Sequence, residues 1–284
     1  MSAEKETHLE EIVGEAGAAP ETHAVQEEHG GGIHISLKAE PIFHIGSYAI
    51  TNALILATLI LVLFSAIAIS ARKRLKLVPG GLQNLFEAFM EFILDMMDSV
   101  LGDRHKSEKY LPLIATIFLF VMFSNWFGLL PGVGSIMFYG AETVPLLRAP
   151  SADLNFTLAL AVITVLTVNL FGAFAIGAFR YAGKFFNFRD PIGFFVGIIE
   201  LVSEGARMIS FSFRLFGNIF AGEVLLTIVA FLTPYLVPLP FLFLEVFVGA
   251  VQALIFSMLA LVFIAIAITD HHGPEDAGHA TAAH

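Results

Sequence analysis

Ser210-Phe211-Ser212-Phe213-Arg214-Leu215-Phe216-Gly217-Asn218 lies inside an apolar run that extends from Pro191 to Thr233. As one helix that run would be about 64 Å long at 1.5 Å per residue, against a bilayer core of about 30 Å. Arg214 has Ser210, Phe211, Gly217 and Asn218 as its helical neighbours at three and four residues, and none can neutralise it. An arginine at membrane depth costs about 2.5–3.5 kcal/mol on insertion scales. It cannot shed its proton, because guanidinium pKa values exceed about 12. The counter-charge or the water must come from elsewhere, most simply from another subunit. This makes Arg214 an ion-pathway candidate.

The composition agrees with a membrane chain. Of 284 residues 57% are apolar and only 14% charged, well under the roughly 25% of a soluble domain. The net charge of −10 is concentrated in the tails, and the first forty residues hold nine Asp or Glu against Lys5 and Lys38. An acidic, hydrophilic start lacks the basic n-region of a signal peptide. Residues 1–41 therefore read as a mature acidic tail, 42–270 as one membrane domain and 271–284 as a polar C-terminal tail. The absence of cysteine removes disulfide, thiol redox and thiolate–metal chemistry.

Runs long enough to span a bilayer occur at Tyr48–Ala71, Leu111–Leu130, Leu154–Phe179, Pro191–Thr233 and Leu239–Thr269. The expected fold is all-α, with five membrane helices. Arg72, Lys73, Arg74, Lys76, Arg104, Lys106 and Lys109 fall in the first loop, Arg148 alone in the second, and Arg180, Lys184 and Arg189 in the third. Excess Lys and Arg mark the cytoplasmic side, so the N-terminus is expected outside and the C-terminus inside. Gly81–Leu101 instead reads as an amphipathic surface helix. Glu87, Glu91, Asp95 and Asp98 recur on one side, with Phe86, Phe89, Met90, Ile93, Leu94 and Met97 on the other. It either packs on its own protein or offers its acidic face to a basic partner segment. The last two runs are too long to stand upright. They are expected as a steeply tilted hairpin, the alternative being a break near Gly217 and Gly222.

On the first long run Glu200, Ser203, Glu204, Arg207, Ser210, Arg214 and Asn218 recur every three or four residues, forming one stripe. Such a stripe must face protein or water. Arg207 has Glu204 one turn away, which suffices for a structural ion pair. Glu223 lies about 140° from that line at 100° per residue, in a second environment. On the second run Glu245 and Gln252 share a face with Gly249. Glu245 reads as a proton-relay group or as a protonated core acid bonded to a neighbour. Gln252 reads equally as helix–helix glue or as a group orienting Arg214. His8, His23, His29, His34, His44, His271, His272, His279 and His284 show no ligand spacing, so neither metal nor cofactor is expected. A phosphate-binding Gly-Lys-Ser/Thr loop, a nucleophile elbow and a basic aromatic patch for nucleic acid are all missing from the sequence.

Arg214-Leu-Phe-Gly-Asn218-Ile-Phe-Ala-Gly-Glu223 closely resembles the signature of subunit a of F-type ATP synthases, the membrane stator facing the rotating c-ring. The resemblance runs from about Tyr48 to Thr269. It takes in Pro79-Gly80, Asn125-Trp-Phe-Gly-Leu-Leu-Pro131-Gly132, Pro150-Ser-Ala-Asp153-Leu-Asn155 and Gln252-Ala-Leu-Ile-Phe. It implies that Arg214 is the essential arginine, with Asn218 and Gln252 as its neighbourhood and Glu223 and Glu245 as half-channel acids. Glu200, Ser203, Arg207 and Ser210 match polar positions on the same helix. Some bacterial relatives have His where this chain has Glu245. The implied partners are the c-subunit ring, the b-subunit peripheral stalk, the other synthase subunits and the lipid bilayer, in a bacterial plasma membrane. The chain itself is expected to catalyse no covalent step. A stand-alone proton or cation secondary transporter is the alternative, but it should show paired repeats with two broken helices, and the sequence has no repeat.

Overall fold

The computed structural model describes residues 39–45, 48–73, 80–130, 133, 137–139, 143–177, 181, 183, 191–233 and 236–268. Of the expected acidic tail, residues 1–38 lie outside these, as do residues 271–284, the tail histidines except His44, and Pro79, Pro131 and Gly132. The order is β1 (Pro41–Ile45), β2 (Tyr48–Thr51), α1 (Asn52–Arg72), α2 (Gly81–Leu101), α3 (Arg104–Gly128), β3 (Met137–Tyr139), β4 (Thr143–Pro145), a 3-10 turn (Pro150–Ala152), α4 (Leu154–Ile176), α5 (Pro191–Leu232) and α6 (Pro238–Ile268). Five of these helices, all but α2, are long and apolar enough to cross a membrane.

The helix ends follow local chemistry. The hydroxyl of Thr51 accepts from the N–H of Leu54 at 3.3 Å and caps α1. The first expected span therefore begins at Asn52, because Tyr48–Thr51 pairs antiparallel with β1 instead. The Asp103 carboxylate caps α3 through His105 N–H at 2.9 Å, which draws the polar residues 104–110 into the second span. Asp153 caps α4 in the same way through Asn155. Gly177, at φ 100, ends that helix at Ile176, three residues short of the apolar run. The fold is all-α, as expected, with two small hairpins, β1–β2 and β3–β4, beside the helices. Strands of three to five residues beside apolar runs leave almost no periodicity to read.

Helix α6 carries the packing. Its buried residues Glu245, Gly249, Gln252, Ala253, Phe256, Ala260, Ile264 and Ala267 recur at three and four residues and lie along α3, α4 and α5. Small side chains let these backbones approach closely, as membrane interfaces require. At Gly249 an added Cβ would stand 3.1 Å from the Asn125 Cβ. Through that gap Asn125 Nδ2 donates to the Gly249 carbonyl at 3.0 Å, and Trp126 Nε1 to the Val246 carbonyl at 3.0 Å. Helix α5 runs unbroken for 42 residues through Gly217 and Gly222, so the broken-helix alternative does not hold.

Helix α2 occupies the span expected of it. Ile93, Leu94 and Met97 are buried against α3 and α6, while Phe86 stays exposed. The acidic face takes a basic group from the same chain. Arg104 reaches Glu91 at 2.6 Å, Asp95 at 3.1 Å and Asp98 at 2.8 Å. Of the two readings of this helix, packing on its own protein is the one observed.

Candidate functional site

The stripe on α5 divides between two environments. Val202, Ala206, Ile209, Phe213, Gly217, Ala221, Leu225 and Ile228, spaced by three or four, form a face left exposed by the described residues. Arg214 stands exposed beside this row. A Cβ added at Gly217 would meet nothing within 4 Å. The guanidinium has one hydrogen bond, from Nη2 to Ser210 Oγ at 3.3 Å, and no ion pair among the described residues. A single long bond to a neutral hydroxyl leaves the charge uncompensated within the chain.

One turn on, Asn218 Nδ2 donates to Gln252 Oε1 at 2.7 Å. Gln252 is 2% exposed, and its Nε2 has no hydrogen-bond partner among the described residues. It ties α5 to α6 and bonds Asn218, not Arg214. Glu245 is buried with its carboxyl group packed on Gly222, and its Oε1 has no partner among the described residues.

Glu223 lies away from the Arg214 line, as the helical arithmetic requires. Its Oε2 accepts from Arg148 Nη2 at 3.3 Å. Arg148 is 8% exposed and comes from the connection after β4, 75 residues earlier. Sequence reasoning noted Arg148 only as a loop charge, because helical spacing is blind to such distant partners. That connection is fixed by Asn52, fully buried, whose Nδ2 donates to the Pro145 carbonyl at 3.3 Å.

Towards the start of α5, the charges turn inwards. Glu204, buried, accepts from Arg207 Nη1 at 2.5 Å on Oε1 and from Asn169 Nδ2 at 3.2 Å on Oε2. Arg207 also lies 3.7 Å from Glu200 and over the Phe263 ring at 4.9 Å. The Glu204–Arg207 pair is the one expected from sequence. Asn169 and Tyr181 were not foreseen, although a lone Asn inside an apolar span is a readable signal. Ser203 turns its hydroxyl to the Ile199 carbonyl at 2.8 Å and is occupied locally.

A family model described as ATP synthase A chain matches residues 52–265. The chain is 38% identical over 226 residues to ATP synthase subunit a of Campylobacter jejuni subsp. doylei, covering 78% of this chain and 87% of that protein. It is also 32% identical over 230 residues to ATP synthase subunit a of Moorella thermoacetica, covering 81% and 96%. The matched region holds all six helices, short only of the last turn of α6, and all of the polar side chains placed above except the Thr51 cap. The chain is an integral membrane protein and belongs to the ATP synthase A chain family.

Proposed function

We propose that this chain is the stator subunit of an F-type ATP synthase, lying against a ring of c subunits and held by the b-subunit stalk. Two offset aqueous half-channels lead protons to and from the ring carboxylates. Glu223 and Glu245 serve the outer half-channel, and the Glu200 end of α5 borders the inner one. Arg214⁺ between them favours the deprotonated ring carboxylate by charge pairing. It also repels a proton crossing directly, so ions move only by ring rotation. A driving force of about 200 mV supplies roughly 4.6 kcal/mol per proton. Asn218 and Gln252 hold α5 and α6 together beside the arginine. The chain makes and breaks no covalent bond itself, and it sits in a bacterial plasma membrane with its N-terminus outside and C-terminus inside.

The carrying observation is Arg214, exposed beside an apolar face and without a carboxylate partner among the described residues. A lipid-facing guanidinium would be very costly, whereas a partner carboxylate removes that cost. Replacement by Ala should abolish proton-driven ATP synthesis while leaving the chain inserted and assembled. Arg214→Lys should fail as well, because a compact ammonium does not reproduce the rigid donor fork. Coupled synthesis at the wild-type rate in Arg214→Ala vesicles would end this reading.

A further inference from the structure

The end of α3 and the connection before α4 meet at a contact too close for a side chain. Gly128 is the last residue of α3, and a Cβ added there would stand 2.3 Å from the Ala149 Cβ and 2.9 Å from its Cα. Ordinary contact begins at 3.4 Å, so a side chain at 128 requires Ala149 to retreat by about 1 Å. The residue before Ala149 is Arg148, 8% exposed, whose Nη2 reaches Glu223 Oε2 at 3.3 Å. Glu223 is not its only contact. A hydrogen bond of that length lies at the outer limit of the usual range of about 2.7–3.2 Å. Moving the arginine outward by a further ~1 Å would break it. The segment has little freedom to yield elsewhere. Ala149 opens the 3-10 turn, its carbonyl accepting from Ala152 N–H at 3.1 Å. Ser151 and Ala152 are buried, and the turn packs on α1, α3, α4 and α5. On the other side of Arg148, Asn52 holds the Pro145 carbonyl.

We infer that Gly128 is a positioning residue of the proton route: by admitting Ala149 against the end of α3, it sets the depth at which Arg148 meets Glu223. It acts through Ala149 and Arg148. A side chain at 128 leaves both charges of the pair in place and parts them. A glycine that only lets two backbones pack would have the same close contact. The two differ in whether the effect of a side chain at 128 runs through Arg148. This inference rests on the reading of Glu223 as an acid of the outer half-channel, and it concerns what holds the arginine beside that acid.

The test asks whether Gly128 and Arg148 act in one line. Membrane vesicles carrying the assembled ring and stator, stripped of the soluble catalytic sector, are assayed for passive proton flow per assembled complex. Gly128→Ala should lower the flow about tenfold, since displacing a working group by about 1 Å costs up to about a hundredfold. Arg148→Gln should lower it similarly, and adding Gly128→Ala to Arg148→Gln should lower it no further. A glycine with a packing role alone would lower the flow by the same factor in both backgrounds, and that result overturns the inference. Wild-type flow in either single variant overturns it too. Adding Ala149→Gly to Gly128→Ala removes the nearest clashing atom and should recover most of the loss; no recovery counts against the inference equally. If Gly128→Ala does not assemble, Ala149→Ser, which crowds the same contact from its other wall, is measured in both backgrounds instead. If Arg148→Gln passes no protons at all, the Ala149→Gly recovery decides. Arg214→Ala, run in parallel for ATP synthesis, separates the two levels. If it still synthesises, the stator reading fails; if it is inactive and Gly128→Ala flows normally, only the Gly128 inference fails.

Discussion

Arg207 and Arg214 lie two turns apart on α5, yet only the first is neutralised inside the chain. Arg207 has Glu204, Glu200 and the Phe263 ring, whereas Arg214 has one hydroxyl. The difference is their neighbours: α4 and α6 close over Arg207, while Arg214 stands beside the open apolar row. The acids differ in the same way, for Glu223 is paired with Arg148 and Glu245 has only Gly222 beneath it. That glycine is required by space, since any Cβ there would run into the Glu245 carboxyl group. A carboxyl at the end of a flexible side chain can move, so Gly222→Ala should assemble in near-normal amounts. It should also displace Glu245 and lower ATP-driven proton pumping. Normal pumping in assembled Gly222→Ala complexes would show that the position of Glu245 does not matter to the route.

At the scale of the element, α2 is held to α3 by charge as well as by burial of Ile93 and Met97. Arg104 beside Asp98, and then the Ser107 hydroxyl, hold the Asp98 carboxyl below the usual range. Its folded pKa is therefore lower than its unfolded value near 3.9. The resulting stabilisation is present above about pH 4 and lost as pH falls through the folded pKa. The side chain is 30% exposed and lies at the protein surface, so the effect is local and weak. Arg104→Ala should raise amide hydrogen exchange along Gly81–Leu101 at neutral pH. It should also remove the loss of protection that the unaltered protein shows on acidification below about pH 4. Exchange along α2 that is identical in both proteins at both pH values would mean that apolar burial alone fixes the helix.

For the molecule as a whole, the length of α5 is the commanding quantity. Its 42 unbroken residues span about 63 Å, twice the hydrocarbon core of about 30 Å. Fitting that length between the two interfaces needs a tilt near 60°, beyond the usual range of about 0–40°. Such a tilt would turn the exposed row from Val202 to Ile228 along the membrane, as a long face for a curved partner. The measurement is the α5 axis angle in oriented bilayers, or in a structure of the whole assembly. An angle under about 40° would remove the tilted hairpin and the geometry by which it meets the ring.

The linear order of residues was enough for the spans, the amphipathic α2, the Glu204–Arg207 pair and the isolation of Arg214. Each depends on periods of three or four residues, or on apolar length, and both are local properties of a helix. It was also enough for the family, through the pattern around Arg214. Arg148 beside Glu223, Asn218 on Gln252, the Gly222 seat of Glu245 and the Tyr181–Asn169 line were decided only by the tertiary structure. These partners stand 12 to 75 residues apart, on elements whose rotation and depth are set by small-residue contacts between helices. No single-helix periodicity carries that information, because it arises from how α4 and α6 pack on α5, and α3 on α6.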